Sequence, residues 1–477
     1  MKILISILLT LIMISSISMP ISAIAGPDVE GRSLILIERT TGTVLFEYNS
    51  SARIFPASTT KILTAMIMVE HIGLDEIIVI GPEIQYMPLG SSRAGHREGT
   101  SISGLNLLRA LIIPSGNDSG IVTATEVVRR VTGNHNLSYP EMEQLFAEIM
   151  NEKARELGAT GSNFMNPHGF HHPSHFSTAR DMAIIARAAI DNPALASVFA
   201  EPYYTGPGII GDPPEGAIVS SYSWRTPNLL IREDSDFFFP YAKGMRTGFT
   251  DHAAHALVSA AERGGFELIA GAFQSRADVR FLDSIAMFNY GFDNYAFRQI
   301  QADGTIVDSM PLHRPMLGEP THMDVMVVGD FTDILNVRDF DRIRPNIVFD
   351  QHLLHFPTEE EAEDSETGSA PRLLLPIEEG QRLGTIRYIV NGVSIHEADI
   401  VATTAALPRT MESDFYYYRA RVIEFIFSTD AILVWIGIFV VFLLIIRVIY
   451  KRIRRNRQRR IFDTRRGKKL PFRYRRY

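Results

Sequence analysis

A serine and a lysine lie three residues apart in the segment Pro56-Ala57-Ser58-Thr59-Thr60-Lys61. If a helix begins just after the proline, Ser58 and Lys61 share one face of it and their side chains can touch. A serine hydroxyl becomes an effective nucleophile when a neighbouring base takes its proton, and a desolvated lysine can be that base. The spacing therefore predicts an acyl-transfer site, although taken alone it also fits an ordinary helix with a solvated lysine.

Two further segments carry groups that such a site would need. Ser115-Gly116-Asn117 follows an apolar run over residues 105–113 and offers a hydroxyl and an amide at the end of a predicted helix. These groups suit proton transfer and hydrogen bonding to a substrate amide, but the same residue types also form plain turns. Arg246-Thr247-Gly248-Phe249 predicts a strand edge with a cation and a hydroxyl, where Gly248 permits close approach of a ligand. An ordinary strand with a glycine bulge is the alternative.

In this order, the three segments resemble the motifs of penicillin-binding proteins and serine β-lactamases. Within that group the chain is similar to the low-molecular-weight D-alanyl-D-alanine carboxypeptidases, whose pattern Asn163–Gly169 and Ser177–Met182 also match. The resemblance covers residues 30–292 and extends more faintly to residue 405. It implies an α+β fold in which helices pack on an antiparallel sheet, and strand patterns on both sides of a helical middle section favour the same architecture.

The chain departs from the family pattern at three places. Arg246 stands where a lysine is usual; it stays charged and can hold a carboxylate through two hydrogen bonds, but it does not join a proton relay. Lys243 replaces a residue that is commonly aspartate. Ala253-Ala254-His255 stands where the family often has Ala-Gly.

The resemblance implies a mechanism and a substrate class. Ser58 would attack the carbonyl of the penultimate D-alanine of a peptidoglycan stem peptide, with Lys61 as general base and Ser115 passing the proton to the leaving D-alanine. Water would then release the acyl-enzyme, which β-lactams would also form. The substrate-binding residues would be Asn117 for the peptide, Arg246, Thr247 and Arg280 for the terminal carboxylate, and Gly248 with Phe249 beside an oxyanion hole made by the N–H groups of Ser58 and Phe249.

Two other functions share these motifs. A β-lactamase would have the same catalytic groups but would hydrolyse penicillin continuously. A non-catalytic β-lactam sensor or wall-binding receptor would be acylated at Ser58 without turning over peptide. Neither the carboxypeptidase nor these alternatives needs a cofactor.

Both ends of the chain read as membrane-targeting segments. An apolar run after Lys2 ends at Ala23-Ile24-Ala25, which is typical of a secretory signal peptide. Residues 431–446 are uncharged and apolar, and they reach spanning length if residues 447–450 are included. Residues 451–477 then contain 14 Lys and Arg and one acidic residue, Asp463. The positive-inside rule places this tail in the cytoplasm and the catalytic part outside a single-pass anchor.

The tail also accounts for an uneven charge distribution. It carries +13 against −7 for the whole chain, so residues 1–450 are acidic at −20. A tail of this kind suits contact with anionic lipid. Because no nucleic-acid-binding module is recognisable, we do not expect nucleic acid as a partner.

The four histidines between His168 and His175 could in principle bind zinc. No nearby carboxylate or cysteine completes a site, and the loop matches a non-metal loop of the family, so we expect no metal.

The chain has no cysteine and therefore forms no disulfide. The acidic stretch 358–369 is expected to be a disordered loop. The predicted organisation is a signal peptide (1–25), a catalytic domain (26–292), a small β-rich domain (297–405), a linker (406–430), a transmembrane helix (431–450) and a cytoplasmic tail (451–477).

Overall fold

The computed structural model describes residues 26–363 and 368–466, the last eight of them as backbone only. The predicted signal peptide and residues 467–477 of the basic tail lie outside these ranges. The described chain forms two compact units. The first runs to Arg298 and also includes Asp333–Asp341; the second consists of Gln299–Thr332 and the residues from Arg342 onward.

In the first unit a mainly helical section lies between strands near its start and a longer series of strands, which a final helix follows. Its strands are Ser33–Glu38 (β1), Val44–Tyr48 (β2), Ile77–Val79 (β3), Thr100–Ser103 (β4), Tyr203–Pro207 (β5), Ile218–Val219 (β6), Ser221–Arg225 (β7), Ala242–Thr250 (β8), Ala254–Arg263 (β9) and Phe266–Ser275 (β10). Its helices are Lys61–His71 (α1), Gly104–Ile112 (α2), Asn117–Thr132 (α3), Tyr139–Glu156 (α4), Ala179–Ile190 (α5), Pro193–Phe199 (α6) and Val279–Asn294 (α7).

Five of these strands form an antiparallel sheet in the order β2-β1-β10-β9-β8. Both faces are covered, which explains why β1 is buried at every position instead of alternating. Ile35 and Ile37 point into the core that helices α1 to α6 share, whereas Leu34 and Leu36 point into the core on the side of α7. The predicted α+β architecture, with helices on an antiparallel sheet, is confirmed.

Three local features bring the chemistry-bearing segments to the edge of this sheet. A 3-10 turn over Ala57–Thr60 leads directly into α1. The bend between α2 and α3 contains Ser115. Strand β8 is the edge strand and carries Arg246 to Phe249. The hairpin of β1 and β2 was predicted over 33–37 and 44–48, and helices were predicted over 61–71, 105–113, 121–131, 139–157 and 179–190, close to the observed bounds. Helices α6 and α7 were not predicted. Helix α3 begins at Asn117 rather than at 121, because Gly116 is its N-cap.

The second unit is β-rich. Its strands are Ile306–Pro311 (β12), His322–Val327 (β13), Arg344–Phe349 (β15), Leu354–His355 (β16), Arg372–Leu373 (β17), Arg382–Val390 (β18) and Val393–Ala402 (β19). The chain leaves the first unit within strand Tyr295–Gln301 (β11) and returns to it within strand Phe331–Asn336 (β14). The main sheet has the order β12-β13-β19-β18-β15, and its apolar face packs around Val325, Ile386 and Ile400.

Three helices lie in the second part of the chain. The prediction of a disordered loop over 358–369 is wrong for Glu359–Glu363 (α8), where the Glu361 N–H bonds Thr358 Oγ1 at 3.3 Å and starts a helical turn; residues 364–367 lie outside the described ranges. Met411–Ile426 (α9) occupies most of the predicted linker and begins at a capping box formed by Thr410 and Ser413. Thr429–Arg466 (α10) follows, and its portion Thr429–Gln458 is long and apolar enough to cross a membrane.

Candidate active site

Ser58 and Lys61 meet as their spacing predicts. Lys61 Nζ lies 3.0 Å from Ser58 Oγ, across the junction of the 3-10 turn and α1. Lys61 is completely buried, whereas Ser58 is half-buried and faces a cleft. Ala57, just before the serine, has a φ of 49°, a left-handed conformation that a residue other than glycine seldom adopts. Backbone strain of this kind is common where a fold holds a catalytic group in place.

The surroundings of Lys61 favour its neutral form. Burial is the main cause that lowers the pKa of Lys61 well below its usual 10.5, and the charge of Arg246 lowers it further, against an opposing effect of Asp118. Nζ also lies 2.6 Å from Asn117 Oδ1 and 2.9 Å from the carbonyl oxygen of His168. A neutral amine has two N–H groups and one lone pair. When the two N–H groups bond these oxygens, the lone pair is left for the hydroxyl of Ser58.

Ser115 lines the same cleft. It has a φ of 66°, and its Oγ is buried without a hydrogen-bond partner among the described residues. Its backbone carbonyl accepts a hydrogen bond from Ser92 Oγ at 2.7 Å, which fixes the bend. An unpaired hydroxyl in a strained position is available to a bound molecule or to a proton in transit.

Asp118 holds the loop that covers this bend, a role that the sequence did not reveal. Its carboxylate accepts hydrogen bonds from the backbone N–H groups of Ala94, Gly95 and His96 at 2.8, 2.9 and 3.1 Å. The preceding residues Ser91 and Ser92 line the cleft. The sequence did place an acidic residue, Asp118, in the first turn of α3. Its role could not be predicted from that position, because its hydrogen-bond partners lie more than 20 residues away in the chain.

Gly248 allows strand β8 to pack directly against the turn that carries Ser58. A Cβ at this position would lie 2.9 Å from the Pro56 carbonyl oxygen and 3.1 Å from the Ser58 nitrogen. The sequence predicted that Gly248 permits close approach of a ligand. In the structure the group that approaches this glycine closely is the backbone from Pro56 to Ser58. It brings the next residue of β8, Phe249, to the same edge of the cleft as Ser58.

Arg246 and Arg280 form a cationic end of the cleft, together with the hydroxyl of Thr247. Arg246 Nη1 donates to the Ile112 carbonyl oxygen at 2.8 Å, while its Nε has no partner among the described residues. Burial, followed by the charge of Arg280, lowers the pKa of Arg246 to about 9. Burial also lowers the pKa of Arg280 to about 10, against an opposing effect of Asp278. These guanidiniums remain charged at neutral pH and are poised for an anion.

The histidines between 168 and 175 have separate structural tasks. His175 bonds Thr60 Oγ1 through Nε2 at 2.9 Å and accepts from the Met165 N–H at 3.1 Å, and burial lowers its pKa to about 3. His171 stacks on His252 with ring centroids 3.7 Å apart. No group of three metal-ligating side chains occurs among residues 26–363 and 368–458. The backbone carbonyl of His168, not its imidazole, contacts Lys61 Nζ.

Two of the three departures from the family pattern have a structural setting. Lys243 is exposed and pairs with Glu262, whose carboxylate raises the pKa of the lysine. Ala254 adopts a φ of 55° as the first residue of β9, directly after the turn from β8, where a glycine would be unstrained. His255 lines the cleft and contacts Arg280.

The cleft has a volume of about 830 Å³ and contains every residue named so far for substrate contact. The buried Lys61 amine lies beside the Ser58 hydroxyl, and Ser115, Arg246 and Arg280 line the same cleft. This arrangement can perform acyl transfer on a substrate that carries a carboxylate next to the bond that breaks. Fold and site together define a serine acyltransferase of the class that penicillin recognises.

Comparison with known proteins identifies the family within that class. The family model for D-alanyl-D-alanine carboxypeptidases, the S11 peptidases, matches residues 21–277. The chain therefore belongs to the D-alanyl-D-alanine carboxypeptidase family of serine peptidases. Its resemblance to this family, inferred above from the motifs, is confirmed.

Curated relatives and solved structures agree with this assignment. The chain is 27% identical over 390 residues to D-alanyl-D-alanine carboxypeptidase DacC of Escherichia coli, which covers 79% of the chain and 84% of that protein. It is 29% identical to DacF of Bacillus subtilis over 56% of the chain and 63% of that protein. Penicillin binding protein 5 from Haemophilus influenzae has the same fold, with a TM-score of 0.55, 22% identity and coverage of 81% of the chain and 100% of that structure.

Proposed function

We propose that this protein removes the terminal D-alanine from peptidoglycan stem peptides through an acyl-enzyme on Ser58. The observation that carries the proposal is the environment of Lys61, a buried amine with two oxygen acceptors and one free direction, toward the Ser58 hydroxyl. Family membership supports the type of reaction, and the contact between Lys61 and Ser58 supports these two residues as the ones that perform it.

In the first step Lys61 takes the proton of Ser58 while Oγ bonds to the carbonyl carbon of the penultimate D-alanine. The oxyanion that forms accepts hydrogen bonds from the N–H groups of Ser58 and Phe249, each contributing about 3–4 kcal/mol to transition-state stabilisation. The proton then passes from Lys61 through the unpaired Ser115 hydroxyl to the leaving nitrogen. The C–N bond breaks and free D-alanine departs.

Arg246, Thr247 and Arg280 hold the carboxylate of the terminal D-alanine in this scheme, and Asn117 bonds the peptide. Arg246 therefore acts in two ways, because it attracts the substrate and its charge keeps Lys61 neutral. In the second step a water molecule, activated by Lys61, adds to the ester carbonyl. Ser58 takes back its proton as the shortened peptide leaves.

The D-alanine released from a peptide ending in Lys-D-Ala-D-Ala tests the proposal. We expect release by the full-length protein in detergent and none by the Ser58→Ala variant, whose fold is checked by thermal melting. Penicillin should label the wild-type protein and not the variant. Sustained penicillin hydrolysis would indicate a β-lactamase instead, and labelling without release would indicate a sensor.

We further propose that α10 anchors the protein as a single membrane span with its C-terminus in the cytoplasm. Thr429–Gln458 has the length and composition of a span, and the basic residues from Lys451 onward favour a cytoplasmic side with anionic lipid. The catalytic domain (26–292) and the β-rich domain (297–405) would then both work on the outer side, where peptidoglycan lies.

A further inference from the structure

The cationic end of the cleft has an unusual charge balance. Neither Arg246 nor Arg280 forms an ion pair with a carboxylate among residues 26–363 and 368–458. Both side chains have a buried Nε without a hydrogen-bond partner in the same part of the chain. Two guanidiniums that repel each other and make no direct ion pair need another group to fix their positions before substrate arrives. For Arg246 that group is the carbonyl of Ile112.

For Arg280 the group is an imidazole. Arg280 Nη1 is in hydrogen-bonding contact with His255 Nδ1. A guanidinium has only donors, so His255 Nδ1 must be the acceptor. The contact therefore requires the neutral imidazole with its proton on Nε2. A protonated imidazole would present a second donor and a second positive charge to Arg280, and the contact would be lost.

The imidazole itself is held by the sheet. His255 lies in β9 opposite Phe249 of β8, and their rings stack with centroids 4.4 Å apart. On its other side β9 pairs with β10, where Ser275 is the partner of His255. Arg280 and Asp278, at the start of α7, are the charged groups that act on the ring; burial and then Arg280 lower the pKa of His255, and Asp278 opposes them. Neutral His255 is thus the normal state near pH 7.

We propose that His255 is a positioning residue for the carboxypeptidase reaction: it accepts a hydrogen bond from Arg280 and so holds that guanidinium where the terminal carboxylate of the substrate binds. The inference rests on the proposed function for its substrate, and it assigns a role to the residue that follows the Ala254 departure. His255 touches Phe249 and Arg280, and it acts on the substrate only through them.

This role has a pH dependence of definite sign. The pKa of His255 lies below its ordinary value of 6.5, so the imidazole is neutral above that value and gains a proton as the pH falls through its lowered pKa. The contact with Arg280 is then present at neutral pH and lost in acid. We expect KM to rise in the acid range, below the ordinary imidazole value of 6.5, because a loosely held Arg280 binds the carboxylate less well.

The test compares His255→Asn with His255→Leu in the full-length protein. Asparagine and leucine have nearly the same shape, but only asparagine keeps an oxygen acceptor close to the position of Nδ1. We expect the leucine variant to raise KM for D-alanine release about tenfold with little change in kcat, and the asparagine variant to stay within about threefold of wild type. The asparagine variant should also lose the rise of KM in acid. His135→Leu, at an exposed histidine, is the control.

Combination with Arg280→Ala separates positioning from a general structural effect. If His255 acts through Arg280, the double variant with His255→Leu should be no worse than Arg280→Ala alone. Full additivity, equal loss in the asparagine and leucine variants, or an effect on kcat alone would overturn the proposal. If the leucine variant unfolds below the assay temperature, the KM of the asparagine variant and the pH dependence of KM in the wild-type protein still test the role of His255.

Acylation by benzylpenicillin keeps this test independent of the proposed function. The antibiotic also carries a carboxylate, so the rate constant for labelling Ser58 should fall about tenfold in the leucine variant and recover in the asparagine variant. If the wild-type protein is acylated but releases no D-alanine, the proposed peptidase activity fails while the role of His255 is still measured. Unchanged acylation in the leucine variant would count against His255.

Discussion

A lysine can serve as a base near neutral pH only if its protonated form is made unfavourable. In this protein burial is the main cause that lowers the pKa of Lys61, and the nearby positive charge of Arg246 lowers it further. The same buried arginine lines the cleft, so in the proposed mechanism one positive charge would act on both the base and the carboxylate of the substrate. A lysine, usual in the family at this position, would also supply that charge.

Substitution of Arg246 tests this coupling. Arg246→Gln removes the charge, so the pKa of Lys61 should rise and the acid limb of the kcat/KM profile should move to higher pH. Arg246→Lys keeps a positive charge and is the matched control, for which the limb should stay near its original position. The measurement is D-alanine release as a function of pH. An acid limb that stays in place in Arg246→Gln would show that Arg246 does not control the base.

At this scale the sequence was informative where chemistry and short spacing coincide. Ser58 and Lys61 are one helical turn apart, so their contact could be predicted from the chain alone. The contact of Arg280 with His255 could not, because 25 residues separate them and only the packing of α7 beside β9 brings them together. Backbone groups such as the His168 carbonyl leave no trace in residue type and were missed for that reason.

At the scale of elements, the loop from Asn166 to Gly169 helps to fix the position of the Lys61 amine, because its His168 carbonyl accepts a hydrogen bond from Nζ. Gly169 has a φ of 75°, and a Cβ there would lie 1.8 Å from the Ala57 carbonyl oxygen. The loop can thus approach the turn beside Ser58 only because this residue is glycine. The approach places the neighbouring His168 carbonyl on Lys61 Nζ.

Gly169→Ala should therefore displace the loop and impair both stability and catalysis. We expect a loss of at least about 2 kcal/mol in the free energy of unfolding and a fall in kcat of more than tenfold. Gly158→Ala is the matched control, because Gly158 has a φ of 88° but no atom within 4 Å of its added Cβ. Denaturant unfolding and D-alanine release measure the two effects. Equal behaviour of both variants would mean that backbone strain alone, and not the contact with Ala57, is responsible.

The elements themselves were partly predictable. Strands β8 to β10, predicted at about 242–250, 255–261 and 266–274, and helices α1 and α5 lie at or near their predicted bounds, because their apolar patterns are clear. The short strands β3 to β7 and helices α6 and α7 were not predicted. Helix α9 was not predicted, since its segment was read as a linker. Its capping box at Thr410 and Ser413 was the available signal.

At the scale of the whole molecule, charge and hydrophobicity are divided along the chain. Residues 1–450 carry −20, whereas residues 451–477 carry +13, and the apolar part of α10 lies immediately before the basic tail. The positive-inside rule favours a cytoplasmic location for these basic residues, which is the orientation proposed above and stays a prediction. The candidate span itself could be identified from the sequence, because length and composition decide whether a helix can cross a membrane.

The absence of cysteine allows a direct test of topology, because a single introduced thiol is unique. We expect Glu412→Cys to react with a membrane-impermeant maleimide in right-side-out membrane vesicles, and Asn456→Cys to react only after the vesicles are opened with detergent. Both sites are exposed in the folded protein. Labelling of Asn456→Cys in sealed vesicles, with Glu412→Cys protected, would reverse the proposed orientation.

The central claim is that Ser58 carries the peptide between the two steps of the reaction. Rapid acid quenching during turnover of a peptide ending in D-Ala-D-Ala, followed by mass spectrometry of the digested protein, tests it most directly. We predict that the fragment containing Ser58 gains the mass of the peptide acyl group, without the terminal D-alanine, and that Ser58→Ala gains nothing. Release of D-alanine with no covalent adduct, or an adduct on another residue, would contradict the mechanism.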